Sequence, residues 1–119
     1  MRTNPLFAIG AGMLLAAASP AFAHADLVRS SPAANATVAA PKTVRLVFNE
    51  KVVPAFSKIE ISMVGHDMQI PVQTRVSSDG KTMTGTPKAR FMKGAYKITW
   101  VAAGADGHRM KGEIPFKVR

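Results

Sequence analysis

From Thr43 onward apolar residues recur at every second position. Val44, Leu46 and Phe48 form one such run, Ile59, Ile61 and Met63 a second, Tyr96, Ile98 and Trp100 a third, and Ile114, Phe116 and Val118 a fourth. A period of two is that of a strand with one face buried, so each run is predicted as a strand. Weaker strand signals lie at residues 27–28, 70–76 and 81–86. Between the runs stand turn formers: Ser31-Pro32, Pro41, Val64-Gly65, Ser78-Asp79-Gly80, Lys93-Gly94 and Asp106-Gly107. No helical period longer than two turns occurs after residue 23. Short strands punctuated in this way, with Trp, Tyr and Phe for the core, predict one all-β domain, an antiparallel β-sandwich of about seven strands.

The first 23 residues follow a different pattern. Met1-Arg2 is a short basic start, residues 6–18 form an apolar stretch containing Phe7, Ile9, Met13, Leu14 and Leu15, and Ala21-Phe22-Ala23 supplies a small-residue cleavage site. The apolar stretch is short for a membrane span and is followed by Pro20. The expected reading is a cleaved secretory signal peptide at 1–23 and a single domain at 24–119. No arginine pair precedes the stretch and no cysteine follows it, which points to the general secretory route without a lipid anchor.

Removal of residues 1–23 from the 119 leaves 96, enough for one domain core. The chain has no cysteine, so neither a disulfide nor a thiolate ligand is available. Any metal chemistry falls to His, Met, carboxylate or amine. The formal charge of +9 becomes +8 once Arg2 leaves with the signal. Because the basic residues are scattered singly and the chain is exported, no nucleic-acid partner is expected. The charge is read as a solvated basic face, with attraction to an anionic membrane surface or an acidic partner as the other reading.

Two places offer metal donors. His24, as the first mature residue, presents its α-amine and imidazole Nδ1 together, and both can close a six-membered chelate on one Cu(II). Asp106-Gly107-His108 falls in a predicted turn before the last strand, where Asp and His two apart can turn to the same side. An amine, two imidazoles and a carboxylate together make a nitrogen-rich tetragonal set suited to Cu(II).

The motifs His24-Ala25-x-Leu27, Ser31-Pro32-Ala33, Pro41-x-x-Val44-x-Leu46-x-Phe48-x-Glu50, Gly94-x-Tyr96-x-Ile98-x-Trp100 and Asp106-Gly107-His108, followed by Gly112 and Phe116-x-Val118, resemble the CopC/PcoC-type copper-resistance family over the whole mature chain. The resemblance implies a Greek-key β-sandwich or barrel, immunoglobulin-like or cupredoxin-like, in the periplasm. It implies Cu(II) ligation through residues matching His24, Asp106 and His108, with Glu50 beside the site. Many members also carry a methionine-rich loop for Cu(I), and here the sequence departs. Only Met63, His66 and Met68 fall in that stretch, and Met63 continues the apolar face of Ile59 and Ile61. A Cu(I) site is therefore not expected, and Met83, Met92 and Met110 read as gap-fillers.

The function expected on these grounds is that of an exported copper-binding protein, monomeric and not an enzyme. It would hold Cu(II) for copper resistance or homeostasis, by buffering or by delivery to a CopD-like inner-membrane copper transporter. The alternative is a copper-dependent oxidative enzyme with an N-terminal histidine brace, disfavoured because the lone Trp and lone Tyr both sit on core-like alternations. A metal-free basic module for membrane surfaces is the third reading.

Overall fold

A computed structural model of the chain describes residues 25–119. His24 and the signal-peptide reading of 1–23 lie outside the described residues.

The described chain forms nine strands: β1 (Leu27–Ser31), β2 (Thr37–Val38), β3 (Val44–Phe48), β4 (Lys58–Met63), β5 (Gln69–Ile70), β6 (Val72–Val76), β7 (Thr82–Pro87), β8 (Gly94–Ala103) and β9 (Arg109–Val118). They build a sandwich of a four-stranded sheet ordered β1-β3-β7-β6 and a five-stranded sheet ordered β2-β9-β8-β4-β5. The connections β1–β2, β2–β3, β3–β4, β5–β6 and β7–β8 cross from one sheet to the other, which makes neighbours of strands distant in sequence, as in a Greek key.

All four alternating runs become strands with the expected face inward. Val44, Leu46, Phe48, Ile59, Ile61, Met63, Tyr96, Ile98, Trp100, Ile114, Phe116 and Val118 are all buried and belong to one hydrophobic cluster. Aromatic rings interlock within it: Phe48 meets Trp100 edge-on at 5.3 Å between centroids, and Tyr96 stacks on Phe116 at 5.7 Å. The Tyr96 hydroxyl donates to the Met92 carbonyl at 2.8 Å and accepts from the Met92 N–H at 2.9 Å, so the polar end of this buried ring is satisfied.

The two strands beyond the expected seven, β2 and β5, are each two residues long. β2 also pairs with β9 in parallel, the one departure from antiparallel pairing among the described strands. The weak segment at 70–76 is cut in two at Pro71. Proline has no N–H to give to a ladder, and at this corner the chain leaves β4, where Ile70 pairs with Ile61, for β7, where Val72 pairs with Pro87.

The β8–β9 hairpin pairs continuously from Gly94–Val118 to Ala103–Arg109. Within it Gly112 lies opposite Trp100, and a Cβ at Gly112 would come within 2.7–2.8 Å of the indole. The ring thus occupies space that any side chain at 112 would need. Gly112→Ala is expected to lower stability by about 1–3 kcal/mol through overpacking, read as a lower urea midpoint by Trp100 fluorescence. An unchanged midpoint would show that the indole can move aside without cost.

Candidate metal centre

The tip of the β8–β9 hairpin carries the Asp106-Gly107-His108 turn. Gly107 N–H donates to the Gly104 carbonyl at 3.0 Å, and Gly104 N–H to the His108 carbonyl at 2.9 Å. Gly107 sits at φ +86, where a side chain is strained even though nothing lies within 4 Å of its would-be Cβ. Glycine is therefore needed here for its backbone, not for space. With the turn closed, the Asp106 carboxylate folds back on His108. Oδ1 accepts the His108 backbone N–H at 3.0 Å, and Oδ2 lies 2.8 Å from His108 Nδ1.

This double contact fixes how the imidazole is presented. When Nδ1–H donates to the carboxylate, the lone pair stands on Nε2, the arrangement in which a carboxylate orients a metal-binding histidine. The His108 side chain is 59% exposed and that of Asp106 27%, so the ring stands in solvent over a better-protected carboxylate. The turn brings Asp106 and His108 together, with the carboxylate in direct contact with the ring.

The turn is braced from the side by the stretch between β3 and β4. Val52 bridges to Gly104, and Val53 N–H donates to the Ala103 carbonyl at 2.7 Å. Buried Ser57 links both chains: its hydroxyl donates to the Val53 carbonyl at 2.7 Å and accepts the Ala103 N–H at 3.2 Å. The other end of this stretch holds the start of the domain. Asp26 N–H donates to Asn49 Oδ1 at 2.7 Å, Asn49 N–H donates back to the Asp26 carbonyl at 3.1 Å, and Ala25 is buried in the core. Residues 49–53 thus tether the chain at 25–26, one residue from His24, and the Gly104 end of the turn to a single short segment. Glu50 lies in that segment, half-buried, and among the described residues it forms no hydrogen bond or ion pair with Asp106 or His108.

Met63, His66 and Met68 are placed elsewhere. Met63 points into the core opposite Tyr96, whereas His66 and Met68 are exposed in the β4–β5 turn. From Tyr96 to the end of β8 is ~23 Å at strand rise, so these residues and the Asp106–His108 pair occupy opposite ends of the sandwich. Among the described residues no three His, Asp or Glu side chains come together as a metal cage.

The pattern that defines the CopC domain matches residues 27–119. The chain belongs to the CopC family. Copper resistance protein C of Xanthomonas campestris pv. juglandis is 41% identical over 109 residues, 87% of this chain and 86% of that protein. The copper transport protein CutJ of Bacillus subtilis is 36% identical over 99 residues, covering 82% of this chain but only 18% of its own length. The crystal structure of PcoC, a methionine-rich copper resistance protein from Escherichia coli, superposes with a TM-score of 0.75 at 32% identity, covering 82% of this chain and 100% of that one. The family thus confirms the β-sandwich. Within this CopC domain Ser57 is the residue that the motifs missed. The signal was present, because position 57 is in phase with Ile59, Ile61 and Met63 and is the one polar residue on that inward row.

Loss of that hydroxyl would strand the buried Ala103 N–H. Ser57→Ala is expected to cost about 1–3 kcal/mol and to speed amide exchange at Gly104 and His108 more than in β6 or β7. Equal exchange in both regions would show that Ser57 does not brace the turn.

Proposed function

We propose that this CopC-family chain is exported, loses residues 1–23, and holds Cu(II) in the periplasm through the His24 amine and Nδ1, His108 Nε2 and the Asp106 carboxylate. The carboxylate acts chiefly by orienting the His108 ring. The observation that carries the reading is the 2.8 Å contact of Asp106 Oδ2 with His108 Nδ1 on an exposed glycine turn. It is supported by the shared tether of that turn and of residues 25–26 to the segment 49–53, and by relatives named for copper resistance and copper transport. An exposed imidazole suits a protein that buffers copper and gives it up to a membrane transporter of the CopD type. Trp100 and Tyr96 are both buried, so neither offers the exposed aromatic substrate face that a histidine-brace oxidative enzyme would use. Met63 serves the core rather than a Cu(I) site, and the domain works as a monomer.

His108→Ala in the chain beginning at His24 is expected to weaken Cu(II) binding by about 3 kcal/mol or more, roughly a hundredfold and upward. Asp106→Ala, which leaves the imidazole in place but unsteered, is expected to lose about 10–100-fold. Competition titration against a Cu(II) chelator measures both. Parental affinity in His108→Ala would remove the turn from the site.

A chain with one extra glycine before His24 keeps every side chain but separates the amine from the imidazole. Its Cu(II) affinity is expected to fall by orders of magnitude, with a changed electron paramagnetic resonance spectrum and an unaltered apo melting temperature. An α-amine of ordinary pKa, about 7.7–8.0, must shed its proton to bind. Affinity of the parent should therefore drop as pH falls below that range, and the extended chain should lose much of this dependence. If the extended chain matched the parent in affinity and spectrum, the amine would not be a ligand.

A further inference from the structure

The two outer faces of the sandwich differ in charge pattern. On the five-stranded sheet, two glutamates stand among five basic residues, and Lys58–Glu60 and Lys97–Glu113 form salt bridges at 2.9 and 3.3 Å. On the four-stranded sheet, none of β1, β3, β6 or β7 contains an Asp or a Glu, and their charged residues are Arg29, Arg45 and Arg75. All three are exposed, and among the described residues none of their side chains forms an ion pair.

Strand register gathers these arginines. Ser31 faces Arg45 across β1–β3, Arg45 faces Thr84 across β3–β7, and Thr84 faces Arg75 across β7–β6. The result is one row of hydroxyl and guanidinium groups running across the sheet, with Arg29 diagonal to Arg45. A hollow of about 130 Å³ opens between Arg29, Ser31 and Arg45. At roughly 30 Å³ per water, it has room for a tetrahedral oxyanion. Guanidinium groups grip phosphate oxygens in pairs, and serine hydroxyls add donors. The carboxylate in the adjoining β6–β7 turn, Asp79, is already engaged by the Ser77 hydroxyl and the Lys81 N–H.

We propose that this face docks on the phosphate headgroups of an anionic membrane leaflet, with one headgroup phosphate seated in the Arg29–Arg45 hollow. The row spans three strands, about 10 Å from Arg45 to Arg75 at ordinary strand spacing, which is more than one small ion bridges. The apolar residues of this face are valines: Val47 is half-buried, and Val28, in the bulge of β1, is 58% exposed. No exposed aromatic residue lies on its strands, whereas specific protein interfaces join aromatic anchors to their arginines. The inference stands apart from copper binding and draws on the export reading only for which membrane the chain meets.

The test is sedimentation of the chain beginning at His24 with phosphatidylcholine vesicles, with and without phosphatidylglycerol, at low ionic strength. Binding is expected only with phosphatidylglycerol and should fall with added salt. Each basic residue near such a surface contributes about fivefold, so Arg29→Ser, Arg45→Ser and Arg75→Ser together should weaken binding by on the order of a hundredfold. The same charge removed from the other sheet, by Lys97→Ser, Lys111→Ser and Lys117→Ser, should cost less than about a tenth of that loss. Melting curves and Cu(II) titration of both triple variants check that fold and metal turn are intact. Equal losses in the two would overturn the proposal in favour of unspecific charge attraction. Absence of vesicle binding by the parent would overturn it outright. Inorganic phosphate binding as tight as that of the vesicles would overturn it in favour of a small free anion.

Discussion

The unbroken ladder between β8 and β9 is the constraint on which the rest depends. Its ten-residue strands are held from Gly94–Val118 to Ala103–Arg109. A slip of β9 by one residue would turn Ile114, Phe116 and Val118 to solvent together. The same register puts Gly112 under the Trp100 indole and leaves residues 104–108 to close the tip. Core packing and the placing of the Asp106–His108 pair are thus consequences of one pairing pattern. A change in the core at one end of this hairpin bears on the geometry of the turn at the other.

What the sequence made legible follows from which interactions are local. Alternation has a period of two whatever the topology, so the inward rows on β3, β4, β8 and β9 could be read directly, and the family motifs agreed with them. The Asp-Gly-His turn was legible for the same reason, since its hydrogen bonds span at most four residues. Non-local matters were not legible. The parallel pairing of β2 with β9 joins residues about eighty positions apart. Nothing in a single run of sequence says that Pro71 marks a change of sheet or that Ser57 reaches Ala103.

Charge shows the same division. Read along the chain, Arg29, Arg45 and Arg75 are isolated residues in three ordinary strands, and the basic excess looks diffuse. Strand order places β7 between β3 and β6 and so lines them up on one face, while glutamates on β4 and β9 pair with two of the basic residues of the other. A net charge does not distinguish these cases. The asymmetry gives the sandwich two chemically different sides despite its uniform core.

The solvent-facing position of the His108 ring has a kinetic side. A metal enclosed by its protein must first shed ligands before an acceptor can reach it, so tight binding and slow release go together. At an open hairpin tip an incoming donor can join the coordination sphere before any resident donor leaves, and the metal passes through a shared intermediate. For copper held there by His108, the rate of hand-over would then depend on the acceptor's concentration and ligand type more than on the donor's dissociation constant. Tenacious retention and rapid transfer would be compatible in one small domain.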